Sequence, residues 1–95
     1  MKGYWIAIYK DLKNIDDIKK YAEKATLAIK KYHGKILVRG GKVETVEGSR
    51  LPRTVLIEFQ SMKEALKCYY SDEYQEAKKI GNCEFNRHIQ IIEGI

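Results

Sequence analysis

The 95-residue chain has a single proline, Pro52, a single tryptophan, Trp5, and two cysteines, Cys68 and Cys83. The cysteines match no CxxC or zinc-type spacing and read as reduced, partly buried thiols. No apolar run approaches the roughly 18 residues that a membrane-spanning helix needs, and no signal peptide opens the sequence. A cytoplasmic protein without a membrane partner is therefore expected. Linkers, internal repeats and low-complexity segments are missing too, so residues 1–95 are expected to form one domain. Neither a Ser-His-Asp nor a Cys-His arrangement, a metal triad, a Walker loop or a GxGxxG can be read. No cofactor or metal is expected.

What is present is an ordinary folded composition, 44% apolar and 33% charged. A chain this short buries only about two thirds of its unfolded surface, so association with a second copy would add core. The net charge is +5, but 14 of the 18 basic residues are lysines. Lys19, Lys20, Lys24, Lys30 and Lys31 sit on one predicted helix beside Asp16, Asp17 and Glu23, the pattern of a solvated helix face. A nucleic-acid partner is not expected. Trp5 and Tyr9 would suit an RNA-binding sheet, but the third strand reads TVLIEF and lacks the aromatic ribonucleoprotein signature.

Gly3–Tyr9 is aromatic and β-branched, a predicted first strand. Asn14 is a predicted helix cap, followed by an apolar stripe at Ile15, Ile18, Ala22, Ala25, Ile29 and Tyr32. Gly34 is placed to end that helix in the left-handed conformation. Ile36–Arg39 is a second strand that Lys42–Val46 is expected to continue, with a bulge at Gly40-Gly41. Arg53–Phe59 is a third strand. Ser61-Met-Lys-Glu64 is a capping box opening a second helix, which restarts at Ser71 and ends at Gly81. His88–Glu93 is the last strand. The order β-α-β-β-α-β predicts a ferredoxin-like α+β fold, a four-stranded antiparallel sheet with its helices on one face.

Alternation along strands divides the side chains between two faces. Tyr4, Ile6, Ile8, Ile36, Val38, Val55, Ile57, Phe59, Ile89 and Ile91 are expected under the helices. Trp5, Ala7, Tyr9, Leu37, Arg39, Thr54, Leu56, Glu58, His88, Gln90 and Ile92 are expected on the other face. That second set is half apolar, more than a monomer usually exposes, so a homodimer with facing sheets is expected.

The segment Lys35–Phe59 gathers the chemistry. Arg39 and Arg53 lie near Glu44, Glu47 and Glu58, with Gly40 and Gly41 between them. One reading is a carboxylate site, because guanidinium groups hold carboxylates in a bidentate fork and glycines admit a ligand to the backbone. The other is a set of partly buried ion pairs that fix the hairpin and the dimer register. His88 is a hydrogen-bonding strand residue or a base. Tyr69, Tyr70 and Tyr74 are core and rim aromatics or the wall of a pocket, with Trp5 or Tyr9 lining a dimer-facing counterpart. The expected ligand is a small, partly apolar molecule bearing a carboxylate or phenolate. The competing function is a non-catalytic homodimeric module.

The segments GYWIA at 3–7, LVRGG at 37–41, VEG at 46–48, PRTVLIEF at 52–59, SMKEAL at 61–66, YYSDEYQEAK at 69–78 and IIEG at 91–94 resemble the domain-of-unknown-function family 1330. That resemblance spans essentially the whole chain. It implies a dimeric α+β barrel, alongside cofactor-free monooxygenases, muconolactone isomerase-like proteins and stress-responsive barrels. No reaction is assigned to the family, so any cofactor-independent oxidation or isomerisation is implied by analogy alone. His33-Gly34 stands where the family often has a glycine pair. Gly81 stands where an arginine is common, which alters any pocket charge that arginine supplies.

Overall fold

The β-branched and aromatic runs become four strands, β1 (Gly3–Tyr9), β2 (Lys35–Arg39), β3 (Arg53–Phe59) and β4 (Arg87–Glu93). In the computed structural model, which describes residues 1–81 and 85–95, they form one antiparallel sheet in the order β2-β3-β1-β4. The helices are α1 (Ile15–Lys31), α2 (Met62–Tyr70) and α3 (Asp72–Lys78), with a short 3₁₀ turn at Lys79–Gly81. This is the ferredoxin-like α+β fold, its second helical segment broken in two. One helical layer on one sheet gives a slab of 31 × 30 × 17 Å. Cys83 lies outside the described residues.

The breaks have local causes. Ser61 Oγ accepts from the Glu64 amide at 3.1 Å and starts α2. Ser71 ends α2 and starts α3: its hydroxyl donates to the Cys68 carbonyl at 2.7 Å and accepts from the Tyr74 amide at 3.2 Å. Asn14 occupies the cap position of α1, but its side chain makes no capping bond. At the other end of α1, His33 takes the left-handed conformation, φ 61°, where Gly34 was expected. His33 N donates to Lys30 O and Gly34 N to Ile29 O, the two bonds of a Schellman stop. Gly34 is needed for another reason: a Cβ there would press into Ile29 and Phe59.

Two expectations about strand geometry are overturned. Residues 42–46 do not extend β2; they belong to an exposed loop. The irregularity lies between Ile36 and Val38 rather than at Gly40-Gly41. More important, β1 is inverted relative to the reading from alternation. Trp5, Ala7 and Tyr9 are buried beneath the helices, at 1%, 3% and 2% exposure. Tyr4, Ile6 and Ile8 pair across the open face with Glu58, Leu56 and Thr54 on β3. β1 is a central strand whose two faces are both apolar, so alternation alone carries no sign of which side is covered.

The core follows from that inversion. Trp5 packs on Phe59, Tyr69 and Tyr74 with ring centroids 6.2, 5.5 and 4.8 Å apart, edge-to-face against the two tyrosines. Against this cluster α1 lays Tyr21, Ala25, Ala28 and Ile29. Tyr21 and Ala28 extend the stripe expected from the sequence. On the uncovered side Leu37, Val38 and Ile92 remain exposed, with Ile6, Ile8 and Leu56 half-buried.

Candidate functional site

The register sets a row of large side chains across one end of the sheet. Tyr9 pairs with Arg53 on one side and with Arg87 on the other. Arg53 alternates with Val55, Ile57 and Phe59, and Arg87 with Ile89 and Ile91, so both arginines share the helix-covered face with the core. The irregularity in β2 shifts the parity of Arg39, which pairs with Val55 and reaches α1: Arg39 Nη1 donates to Thr26 Oγ1 at 3.0 Å. Three of the four arginines of the chain thus converge on one cleft between α1 and the sheet.

Each arginine is held differently. The guanidinium of Arg87 lies 4.6, 5.1 and 5.5 Å from the ring centroids of Tyr21, Phe85 and Tyr9, a cation–π cage. It donates to the hydroxyls of Tyr9 at 2.8 Å and Tyr74 at 3.1 Å. The hydroxyls of Tyr21 and Tyr74 lie 2.6 Å apart. Arg53 covers the opposite face of this group, 5.6 Å from the Tyr9 centroid. Its Nε is buried and has no hydrogen-bond partner among the described residues. Gly40 makes room for it: φ is +66°, and a Cβ there would collide with Arg53 Nη1.

Among the described residues, no carboxylate pairs with the arginines of the cleft. The ion pairs among the described residues are Lys31–Glu73, Lys67–Glu64 and Lys79–Glu76, all on helices, and none involves an arginine. Burial works against the charge of Arg87, but the surrounding Tyr21, Tyr74 and Tyr9 oxygens outweigh it and hold its pKa above the ordinary value. Burial pushes the Tyr74 and Tyr21 phenols up, with Arg87 opposing in both. These hydroxyls are neutral donors and acceptors beside a fixed cation. The Cys68 thiol is pushed up to about 12, by burial first and by Glu73 second, so it is not a nucleophile near neutral pH.

The inner part of the cleft is a half-open cavity of about 30 Å³, walled by Trp5, Tyr9, Tyr21, Arg39, Arg53 and Arg87 among others. Ala22, Thr26, Arg39 and Arg53 also border an open groove of about 540 Å³ that continues along α1 past Ile15, Ile18, Lys19 and Glu23. Two arginines, Arg39 and Arg53, therefore stand where a small inner space meets a larger open groove.

The structure regroups the residues named from the sequence. Arg39, Gly40, Arg53 and Trp5 meet at the cleft, Trp5 as a wall from the core rather than on a dimer-facing surface. Tyr74 is fully buried behind the cleft wall, packed on Trp5 and bonded to Tyr21 and Arg87. Glu58 lies on the opposite face, where Tyr4 Oη donates to it at 3.2 Å, so it is no partner for Arg39. His88 is exposed on that same face, 3.0 Å from Gln90 Oε1. Gly41 and Glu47 stand in the exposed loop, and Tyr70 is 72% exposed on α2. Arg87, Tyr21 and Thr26 went unnamed. Arg87 was detectable: it alternates with Ile89 and Ile91, which marks a cation on a buried face.

The backbone defines a ferredoxin-like α+β protein, and solved structures share it. A protein of unknown function from Rhodopseudomonas palustris superposes with a TM-score of 0.75 at 10% identity, over 99% of this chain and 82% of that one. A protein of unknown function from Bacteroides fragilis, described as dimeric with a ferredoxin-like fold, gives 0.63 at 15% identity, covering 98% and 96%. A proposed antibiotic biosynthesis monooxygenase from Caulobacter crescentus gives 0.63 at 12% identity, covering 99% and 89%. A comparison with curated protein sequences yields no match. The chain itself belongs to the domain of unknown function family DUF1330, whose model matches residues 2–95.

Proposed function

We propose that this protein binds a small, partly apolar carboxylate or phenolate in the cleft between α1 and the sheet. The observation that carries the reading is Arg53, whose Nε is buried beside a cavity and has no hydrogen-bond partner among the described residues. A buried donor left unpaired costs about 1–3 kcal/mol, and an anion entering from the groove would satisfy it in a bidentate fork. Arg39 supplies a second guanidinium at the same junction. Tyr9 accepts from Arg87 and so keeps its own O–H for the ligand.

The same reading extends to assembly. The open face carries Leu37 at 43% and Ile92 at 49% exposure, and a second copy packed sheet to sheet would cover them. The similar Bacteroides fragilis protein is described as dimeric. Velocity sedimentation at micromolar concentration is expected to give a dimer, and a monomer would remove this part of the proposal. The buried free thiol of Cys68 suits a reducing, cytoplasmic setting. Nucleic acid is not the proposed partner, because Trp5 and Tyr9 face the helices and cannot stack on bases.

A thermal-shift comparison of benzoate with benzyl alcohol tests the cleft. Benzoate is expected to raise the melting temperature in a saturable way and benzyl alcohol to leave it unchanged, with the benzoate effect lost in Arg53→Met. Equal shifts from both compounds, or none from either, would refute an anion site.

A further inference from the structure

The cleft also constrains the shape of its ligand, an inference that rests on the carboxylate-binding reading above. The inner cavity is small, about 30 Å³, against about 540 Å³ for the groove outside it. The inner space has room for a carboxylate group and not for an apolar body. The open groove falls within the size range of small-molecule sites, about 300–1,000 Å³. Its floor is an apolar strip on α1 formed by Ile15, Ile18 and Ala22. Ile18 is buried and the other two are half-buried.

Ile15 to Ala22 spans about 10 Å along a helix rising 1.5 Å per residue. The strip points straight at Thr26, one turn beyond Ala22, and Thr26 accepts the hydrogen bond from Arg39. The rim residues Lys19 and Glu23 stand one turn apart with opposite charges, so the rim adds no net sign. The two arginines stand where the groove meets the inner cavity, and the apolar strip on α1 runs away from them. We infer that the ligand is an amphiphilic carboxylate, its head at Arg39 and Arg53 and its apolar body outside the inner cavity, along Ile15, Ile18 and Ala22.

Straight-chain carboxylates from acetate to decanoate, titrated calorimetrically into the intact protein, provide the test. Affinity is expected to rise with each methylene, by at most about fourfold, the value for a fully buried CH₂, until the chain outgrows the strip, and then to level off. Ile15→Lys is expected to weaken octanoate about tenfold, equivalent to the loss of roughly two buried methylenes. Arg53→Met is expected to abolish binding of every chain length. If the acids bind with no dependence on length, or Ile15→Lys leaves octanoate unaffected, the body does not lie on the strip, while the anion site stands. If the length dependence survives unchanged in Arg53→Met, the binding is general apolar association and the inference falls. If no carboxylate binds at all, the anion site falls with it.

Discussion

On the helix-covered face of the sheet, three arginines and Tyr9 stand among tryptophan, phenylalanine and isoleucine, facing Tyr21 and Tyr74 from the helices. On the opposite face, Ile6, Ile8, Leu37, Val38, Leu56 and Ile92 have no layer over them. A water-soluble two-layer domain would ordinarily place its charge on the open side and its apolar residues on the covered side. Here each face holds part of what the other should. The covered face keeps its cations because aromatic rings and hydroxyls solvate them: Arg87 alone has three rings and two phenol oxygens around it. On the reading proposed above, the open face stays apolar because a second copy covers it. The misplaced polarity would then mark a ligand site, and the misplaced apolar surface an assembly site.

The largest expected effect separates the two faces by stability. Trp5→Ala is expected to cost about 3–5 kcal/mol, as for a buried large aromatic. Leu37→Ala on the open face is expected to cost the isolated protomer less than about 0.5 kcal/mol, as for a surface change. Urea unfolding at a concentration where the protomer is monomeric measures both, and similar costs would break the comparison. Next comes Gly40→Ala. A side chain at φ +66° costs about 1–2 kcal/mol, and its Cβ would displace the Arg53 guanidinium. Carboxylate binding should fall along with stability.

Arg53→Met is expected to change stability by less than about 1 kcal/mol or to raise it, since it removes a buried donor without a partner. A large loss in urea unfolding would make Arg53 a structural residue. The smallest effect is alkaline. Tyr74 and Tyr21 have folded pKa values above the ordinary 10.0, so below that pH both states hold their protons and stability is full. Above it the unfolded chain releases protons that the folded chain keeps, and stability declines as pH rises. The urea midpoint should therefore fall between about pH 9 and pH 11, and less steeply in Tyr74→Phe.

Much of the fold was legible in the residues. The limits of β1 and β3, the long α1 and the Ser61 cap all rest on local chemistry: β-branched runs, a 3.6-residue stripe, a hydroxyl three residues before a glutamate. The distribution of side chains between faces was less accessible. In β1 both alternate sets are apolar, and the isoleucines of Tyr4-Ile6-Ile8 look more like core than Trp5-Ala7-Tyr9. Only pairing with β3 and β4 decides between them. In β2 a single irregularity between Ile36 and Val38 reverses Arg39 and separates it from Glu58. The arginine-rich character of the site was visible in Arg39, Arg53 and Gly40. The cage that Tyr9, Tyr21 and Phe85 build around Arg87 was not, because these residues come together only through long-range pairing.

Trp5 is the sole tryptophan and forms a wall of the inner cavity, so its fluorescence reports directly on the cleft. Titrating benzoate while following that emission is expected to give a saturable change in the native protein and none in Arg53→Met. An unchanged spectrum with the native protein, or an identical saturable change in Arg53→Met, would contradict the assignment of this cleft as the anion site.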